Sequence, residues 1–292
     1  MTPETPGLDV VVVAYGSPDR LAGAIAPLVD VRPILVVDNS SSPAIEAVAR
    51  QAGARYVDPG VNLGFAAAVN RGLSLFDDPD RDVLLLNPDA RIDGPALERL
   101  HQELRSDPEV ACVAPSQHPP GSSVPSRARW PWHTPAGAWA EALGLGRLRL
   151  QSSQYFLGGA ILLLRKSALT QVGTFDERFF LYSEDEDWQR RAVERGWQVR
   201  FCPEIEAEHV TGGSEIDIVR LHLRLHAAIE RYVRKWYGPW GWAVFRAGTL
   251  FGHSLRLFVH TGARRRTTAR LARLYVTGPD RTARHAGVVP TT

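Results

Sequence analysis

Residues Leu8 to Ala14 form an unbroken apolar, β-branched run that stops at Tyr15-Gly16-Ser17-Pro18. A run of that length bounded by turn residues predicts a buried strand. From Asp19 to Val29 the period changes, and Leu21, Ile25 and Leu28 fall on one face of a helix. The alternation then repeats. Pro33–Val37 predicts a second strand, and Ser42-Pro43 opens a helix to about Ala52 with proline in its first turn. Arg55–Val57 reads as a strand, Gly64 to about Leu75 as a helix, and Asp82–Leu86 as a strand broken by Asn87-Pro88-Asp89. Pro95–Leu104 is a helix and Val110–Ala114 another strand. Near-continuously apolar strands alternating with helices predict a mostly parallel sheet covered on both faces. Polar residues collect where the strands end, at Tyr15, Asp38-Asn39, Asn87 and Asp89. In an open α/β sheet that rim is where ligands bind, so residues 1–114 read as a nucleotide-binding half.

The second half is less regular. Residues 115–154 hold six prolines together with Trp130, Trp132 and Trp139, and read as a long packed or ligand-contacting loop. Gly158-Gly159-Ala160 leads into a strand over Ile161–Leu164. The acidic cluster Ser183-Glu184-Asp185-Glu186-Asp187 opens a helix to about Arg195. Trp197–Phe201 follows as a strand, and His209–Ser214 as a loop. Ile216 to about Tyr237 is a helix, and Trp240–Val259 one or two more; from Arg264 onward the chain is expected to be flexible. The expected organisation is a domain over 1–214, with an acceptor half from 115, then helices over 215–262 and an Arg-rich tail over 263–292.

Composition narrows the class. The chain has 292 residues, 44% hydrophobic and 23% charged, which reads as globular. It has no run of 18 uncharged apolar residues, and no basic stretch precedes an apolar core at the start, so neither a spanning helix nor a secretory leader is expected. Cys112 and Cys202 lie in apolar segments and read as two reduced thiols of a cytoplasmic protein. The net charge of +2 conceals an asymmetry. From Trp240 to Thr292 there are nine Arg against Asp280 alone, a net +8, which leaves −6 for the rest. A basic end of that kind suits an anionic surface, either membrane or nucleic acid.

Several residues carry candidate chemistry. Asp38 at the rim could accept hydrogen bonds from a ribose hydroxyl or a base N–H, or simply cap the following turn. No Gly-x-Gly-x-x-Gly and no Walker sequence follows the first strand. Asp89, on a proline-set turn, could hold Mg²⁺ or Mn²⁺ against a diphosphate, or be an ordinary turn residue. Ser183 and Glu186 fit a capping box, which leaves Asp185 and Asp187 as surplus acids, one of them a general-base candidate. His209 sits before a Gly-rich polar loop and is a candidate metal ligand.

Taken in order, these pieces resemble the family 2 inverting glycosyltransferases of GT-A fold, especially their rhamnosyltransferase-like branch. The matching stretches are Val11–Tyr15, Val36–Ser41, Asn62–Gly72, Leu84–Asp89, Gly158–Ala160, Phe175–Phe180, Tyr182–Asp187 and His209. The resemblance covers residues 8 to 240. It implies a Rossmann-like sheet with a C-terminal helical extension, and it implies roles. Ala14, Tyr15, Asp38, Asn62, Gly64, Asn70 and Asn87 would line the donor nucleotide site. Asp89 and His209 would hold the divalent metal, with Asn87 standing where the family's first metal-motif acid usually is. Asp185 would be the catalytic base, and Gly158, Gly159, Glu184 and Trp188 would line the acceptor site.

The implied reaction transfers a sugar from a nucleotide diphosphate, best read as rhamnose from dTDP-rhamnose, to a glycan or polyprenyl-linked acceptor by single displacement. A UDP-sugar donor is the nearest alternative. A nucleotidyltransferase would want a basic Gly-rich loop where Tyr15–Arg20 stands. A nucleic-acid-binding protein using the tail is disfavoured by the acidic body, so no nucleic-acid partner is expected. The Trp/Phe-rich stretch from Trp236 to Phe258, next to Arg264-Arg265-Arg266, suits peripheral attachment at the inner face of a membrane, or packing as a C-terminal or dimer helix.

Overall fold

The structure, a computed structural model, describes residues 7–29, 32–76, 78–146, 155–210 and 218–290. The chain divides into two compact units. The first holds Met1–Arg129, Phe156–Arg178 and Glu184–Ile216; the second holds Trp130–Tyr155, Phe179–Ser183 and Asp217–Thr292. Residues 130–155, read from the sequence as part of the acceptor half, fall in the second unit. The Thr211–Ser214 loop and the expected helix start at Ile216 lie outside the described residues.

The first unit is built on an eight-stranded sheet. Its strands are β1 (Leu8–Ala14), β2 (Ile34–Asp38), β3 (Arg55–Val57), β4 (Asp82–Leu86), β5 (Ala90–Arg91), β6 (Val110–His118), β9 (Ile161–Leu164) and β10 (Gln198–His209), in the order β3-β2-β1-β4-β9-β6-β10-β5. Strands β1, β2 and β4 are buried along their whole length, as the unbroken apolar runs require. Helices α1 (Pro18–Ile25), α2 (Pro43–Gln51), α3 (Phe65–Leu73), α4 (Gly94–Arg105), α6 (Lys166–Val172) and α7 (Glu184–Glu194) belong to this unit. One contiguous core runs through Leu21, Ile25, Leu28, Ile45, Leu97 and Leu100 against Val10, Val12, Val36 and Leu84.

The sheet is mixed. β9 runs antiparallel to both β4 and β6, and β5 antiparallel to β10. β10 also runs farther than its apolar run. Cys202 opposes Pro115 and the next pair is Glu206 with Ser116, so a bulge spans Pro203, where a proline can interrupt a ladder. That extension carries the strand to His209. Short strands β7 (Arg129–Pro131) and β8 (Tyr155–Leu157) pair as a separate ribbon.

The second unit is helical. Within the expected loop, α5 (Pro135–Ala142) forms on a Thr134 cap whose hydroxyl accepts the Gly137 N–H at 2.9 Å. The long α8 (Ile218–Val259) breaks at Gly238, where φ is +67°, ahead of Pro239. The Arg-rich tail, expected to be flexible, folds as α9 (Gly262–Thr277) and α10 (Pro279–His285). Ion pairs and buried rings hold it. Arg231 meets Asp280 at 2.6 Å, the Asp280 N–H donates to Glu230, and Arg246 donates to the Tyr275 carbonyl. Val288, Val289 and Ala283 pack on Ala227. Tyr275 is buried with its hydroxyl 3.0 Å from His226 Nδ1, and burial pushes that imidazole down to about 3.

Candidate functional site

The parallel pairing of β1 with β2 sets Ala14 opposite Asp38 and opens one end of the rim. Asp38 is wholly buried, and its carboxylate is spent on the protein. Oδ1 accepts from Ser40 N–H at 2.8 Å and from the Ser40 hydroxyl at 2.6 Å; Oδ2 accepts from Ser42 N–H at 2.7 Å and from the Tyr56 hydroxyl at 3.0 Å. A carboxylate has about four acceptor positions, and these four bonds make Asp38 the organiser of the turn after β2. That turn is joined to its neighbours. Gly16 N–H donates to Ser40 Oγ at 3.0 Å, Asn39 N–H to the Ala14 carbonyl at 2.9 Å, and Asn39 Nδ2 to the Gly64 carbonyl at 2.9 Å. Asn62 accepts the Gly64 N–H at 2.9 Å, and Gly64 takes φ +81° just ahead of α3, a conformation that favours glycine. Tyr15, Gly16 and Asn62 are the exposed members of this group, Tyr15 at 57%.

Asn70 likewise bonds within the protein. It sits on α3, and its amide brackets the Phe175 backbone, with Nδ2 to the carbonyl at 2.8 Å and Oδ1 from the N–H at 2.9 Å. A further bond from Nδ2 to Glu177 at 2.9 Å uses the second amide hydrogen. Asn70 ties the segment ahead of α7 to the sheet.

The other end of the rim is arranged differently. Val12 opposes Leu86 across β1 and β4, so Asn87-Pro88-Asp89 leaves the sheet beside the β1 end. The Ala90–His209 register of β5 against β10 then brings Asp89 to His209, with Oδ1 and Nε2 3.5 Å apart. The Val210 N–H donates to the Asp89 carbonyl at 3.0 Å and fixes the pair. Asp89 Oδ1 is buried and has no hydrogen-bond partner among the described residues. A buried, unsatisfied carboxylate oxygen is costly unless something else fills its valence. The donor set, one carboxylate and one imidazole, fits a Mn²⁺ or Mg²⁺ ion that takes its remaining ligands from phosphate and water. Among the described residues no group of three or more His, Cys, Asp and Glu that could hold a metal ion exists.

Two short links connect the pair to the acidic cluster. Asn87 N–H donates to the Ala160 carbonyl at 2.8 Å, and Gly159 N–H donates to Asp185 Oδ2 at 2.8 Å. Asp185 Oδ1 accepts the Glu186 N–H at 2.8 Å. Each oxygen therefore spends one acceptor position on the backbone and keeps another. Burial, with nearby Glu186 charge, pushes the Asp185 carboxyl up to about 6. Glu184 is raised well above the carboxylate range by burial and by Asp185, and its buried Oε2 has no hydrogen-bond partner among the described residues. The chain enters this cluster under backbone strain, with Tyr182 at φ +72° and Ser183 at φ +62°. Ser183 thus lacks the extended backbone of the capping residue expected there.

The structure separates the two surplus acids. Asp187 is wholly buried and paired with Arg191 at 3.0 Å, and Arg191 also donates to the Val172 and Thr174 carbonyls. Trp188 is wholly buried as well, stacked on Phe175 with centroids 5.8 Å apart, and its indole N–H donates to the Gly173 carbonyl. Trp188 is therefore a core residue and not the acceptor-lining side chain expected. Gly158 donates to the Ala128 carbonyl, and Gly159 lies directly over Asp185, where an added Cβ would stand 3.3 Å from Oδ2.

One residue escaped the sequence reading. Gln189 is buried, accepts from Leu157 N–H at 2.8 Å, and donates to the Leu157 carbonyl at 2.7 Å and the Asp185 carbonyl at 3.1 Å. It clamps β8 to the first turn of α7. Its signal was a polar side chain four residues after Asp185, on the same helical face.

Comparison with known proteins identifies the family and the fold. The family model described as "Glycosyltransferase like family 2" matches residues 6–237. The N-acetylglucosaminyl-diphospho-decaprenol L-rhamnosyltransferase of Mycobacterium tuberculosis is 29% identical, over 88% of this chain and 94% of its own. The low-salt glycan biosynthesis hexosyltransferase of Haloferax volcanii is 24% identical, over 69% of this chain and 66% of its own. Among solved structures, a mannosyltransferase from Pyrobaculum calidifontis in complex with GDP-Man and Mn²⁺ superposes with a TM-score of 0.59 at 14% identity, covering 96% of this chain and 83% of that one. Glucosyl-3-phosphoglycerate synthase from M. tuberculosis, in complex with Mn²⁺, UDP and phosphoglyceric acid, gives 0.55 at 19%, covering 79% and 78%. The fold is of the GT-A type.

Proposed function

Because the chain belongs to the family 2-like glycosyltransferases, and so is a glycosyltransferase, we propose that it transfers rhamnose from dTDP-rhamnose to a polyprenyl-diphosphate-linked sugar, with inversion. The rhamnosyltransferase relative, matched over nearly its full length, supports the choice of donor and acceptor. The observation that carries the site is the chain of contacts from His209 through Asp89 and the Asn87 turn to Gly159 and Asp185.

In this reading, Asp89 and His209 hold a divalent cation. When bound, such an ion offsets the charge gathering on the leaving nucleoside diphosphate. The Gly64 turn and the α3 N-terminus shape the donor pocket, with Tyr15 exposed at its edge. Asp185 takes the proton from the acceptor hydroxyl as that oxygen attacks the anomeric carbon from the face opposite the diphosphate. Its raised position, near 6, suits a base that must accept a proton yet be ionised at neutral pH. Gly159 N–H and Gln189 hold the carboxylate and its helix turn in place. Burial and the Asp185 charge favour the protonated form of Glu184 beside it, and in that form it can donate a hydrogen bond to the acceptor sugar. Asn87 contributes its backbone to the link and leaves Asp89 as the carboxylate of the metal pair.

The test is a donor screen with a synthetic polyprenyl-diphosphate N-acetylglucosamine acceptor, with and without Mn²⁺. The expected result is Mn²⁺-stimulated transfer from dTDP-rhamnose and a product of inverted anomeric configuration. Preferential transfer from a UDP-sugar would replace the donor assignment, and a retained configuration would overturn the single displacement.

A further inference from the structure

The second half of α8, beyond the Gly238 break, is apolar on two faces. One face is the expected core side, with Trp242, Phe245, Gly252 and His253 buried. The opposite face is exposed, and its residues follow helical spacing. Trp240, Val244, Ala247, Phe251, Leu255 and Phe258 recur at intervals of four, three, four, four and three residues. At about 100° per residue these fall in a single narrow arc, running about 27 Å along the helix. Trp240 is 84% exposed and Phe258 88%, with Val259 beside it at 75%. Leu143 and Leu145, just past the end of α5, are also exposed. α5 packs alongside: Trp139 rests on Phe251 with ring centroids 5.5 Å apart and donates its indole N–H to the Val244 carbonyl. A continuous exposed stripe of this kind marks an interaction surface.

Charge identifies the partner. Arg264, Arg265, Arg266 and Arg270 are exposed on α9, which starts three residues after α8 ends, and no acid occurs between Trp240 and Pro279. No helix among the described residues is long and apolar enough to cross a membrane. We propose that the Trp240–Phe258 stripe lies in the headgroup layer of an anionic bilayer, with the α9 arginines on the lipid phosphates. Wide apolar exposure bordered by arginine is the pattern of a helix lying in the interface plane. A second copy of the chain would bring two such basic segments together. A nucleic acid would leave Val244 and Leu255 without apolar contact. The inference is independent of the donor and acceptor assigned above.

The experiment is co-sedimentation of the full chain with phosphatidylcholine vesicles, with and without a minor fraction of phosphatidylglycerol, at low and high salt. Binding should be at least about tenfold stronger with phosphatidylglycerol at low salt, and the preference should fade as salt rises. The W240S/F258S variant should lose at least about tenfold in binding to both vesicle types while keeping the wild-type Tm, because both side chains are almost fully exposed. The R264Q/R265Q/R266Q variant should lose the preference for phosphatidylglycerol. Absence of sedimentation with the anionic vesicles at low salt overturns the proposal, as does binding unchanged in the W240S/F258S variant. A wild-type dimer that W240S/F258S converts to monomer, with vesicle binding unaltered, assigns the stripe to self-association instead.

Discussion

The two ends of one sheet edge treat their carboxylates in opposite ways. After β2, Asp38 has four hydrogen bonds from Ser40, Ser42 and Tyr56. After β4, Asp89 Oδ1 is equally removed from water and has none among the described residues. The same contrast recurs on α7, where Asp187 is locked to Arg191 while, among the described residues, Glu184 Oε2 has no hydrogen-bond partner and Asp185 keeps acceptor positions. Satisfied carboxylates are scaffold, because the fold gains from them. Unsatisfied ones cost the fold something, and such a cost persists where a ligand or a proton transfer uses the group.

The largest effect expected from this contrast is on the scaffold side. Asp38→Ala strands the hydroxyl and amide donors that converge on it and should cost about 3–5 kcal/mol in urea denaturation. His209→Ala should leave stability near wild type but weaken Mn²⁺ binding in the presence of a nucleoside diphosphate by about 10–100-fold, or about 1.4–2.7 kcal/mol, by calorimetry. An Asp38→Ala protein of wild-type stability would dissolve the distinction from one side, and Mn²⁺ binding indifferent to His209 from the other. Gly159→Ala places a methyl 3.3 Å from Asp185 Oδ2. The small displacement it forces should lower kcat about tenfold with little change in Tm. Finally, Asp185 is protonated below about 6, so transfer should rise with pH through that value and level off above it.

Much of the first unit was legible in the sequence because β1, β2 and β4 are buried on both faces, which leaves no polar interruption to confuse their reading. β10 was cut short because Pro203 and Glu204 break the apolar run, although a bulge carries the strand on to His209. The Arg-rich tail was misread because composition does not show a docking surface. α9 and α10 are held by Tyr275 against His226 and by Asp280 against Arg231, pairings distant in sequence. Within the site, residue types and order pointed to Asp89, His209 and Asp185. Nothing in the sequence could show which protein groups Asp38 and Asn70 bond to, or that Trp188 is buried, since each depends on which groups the fold brings within reach.

The most direct test sets Asp185→Asn beside Asp187→Asn, with transfer rate and thermal unfolding measured on both. A carboxyl raised to about 6 in the fold binds more protons there than in the unfolded chain. Stability is therefore lost as pH climbs from the ordinary carboxylate range through about 6. Asp185→Asn should abolish the fall in Tm over that pH range, while transfer falls at least about 10²-fold and donor binding is retained. Asp187→Asn should lower the Tm by breaking the Arg191 pair and reduce transfer less. An Asp185→Asn enzyme that turns over at the wild-type rate, with Asp187→Asn inactive at undiminished stability, would contradict the account.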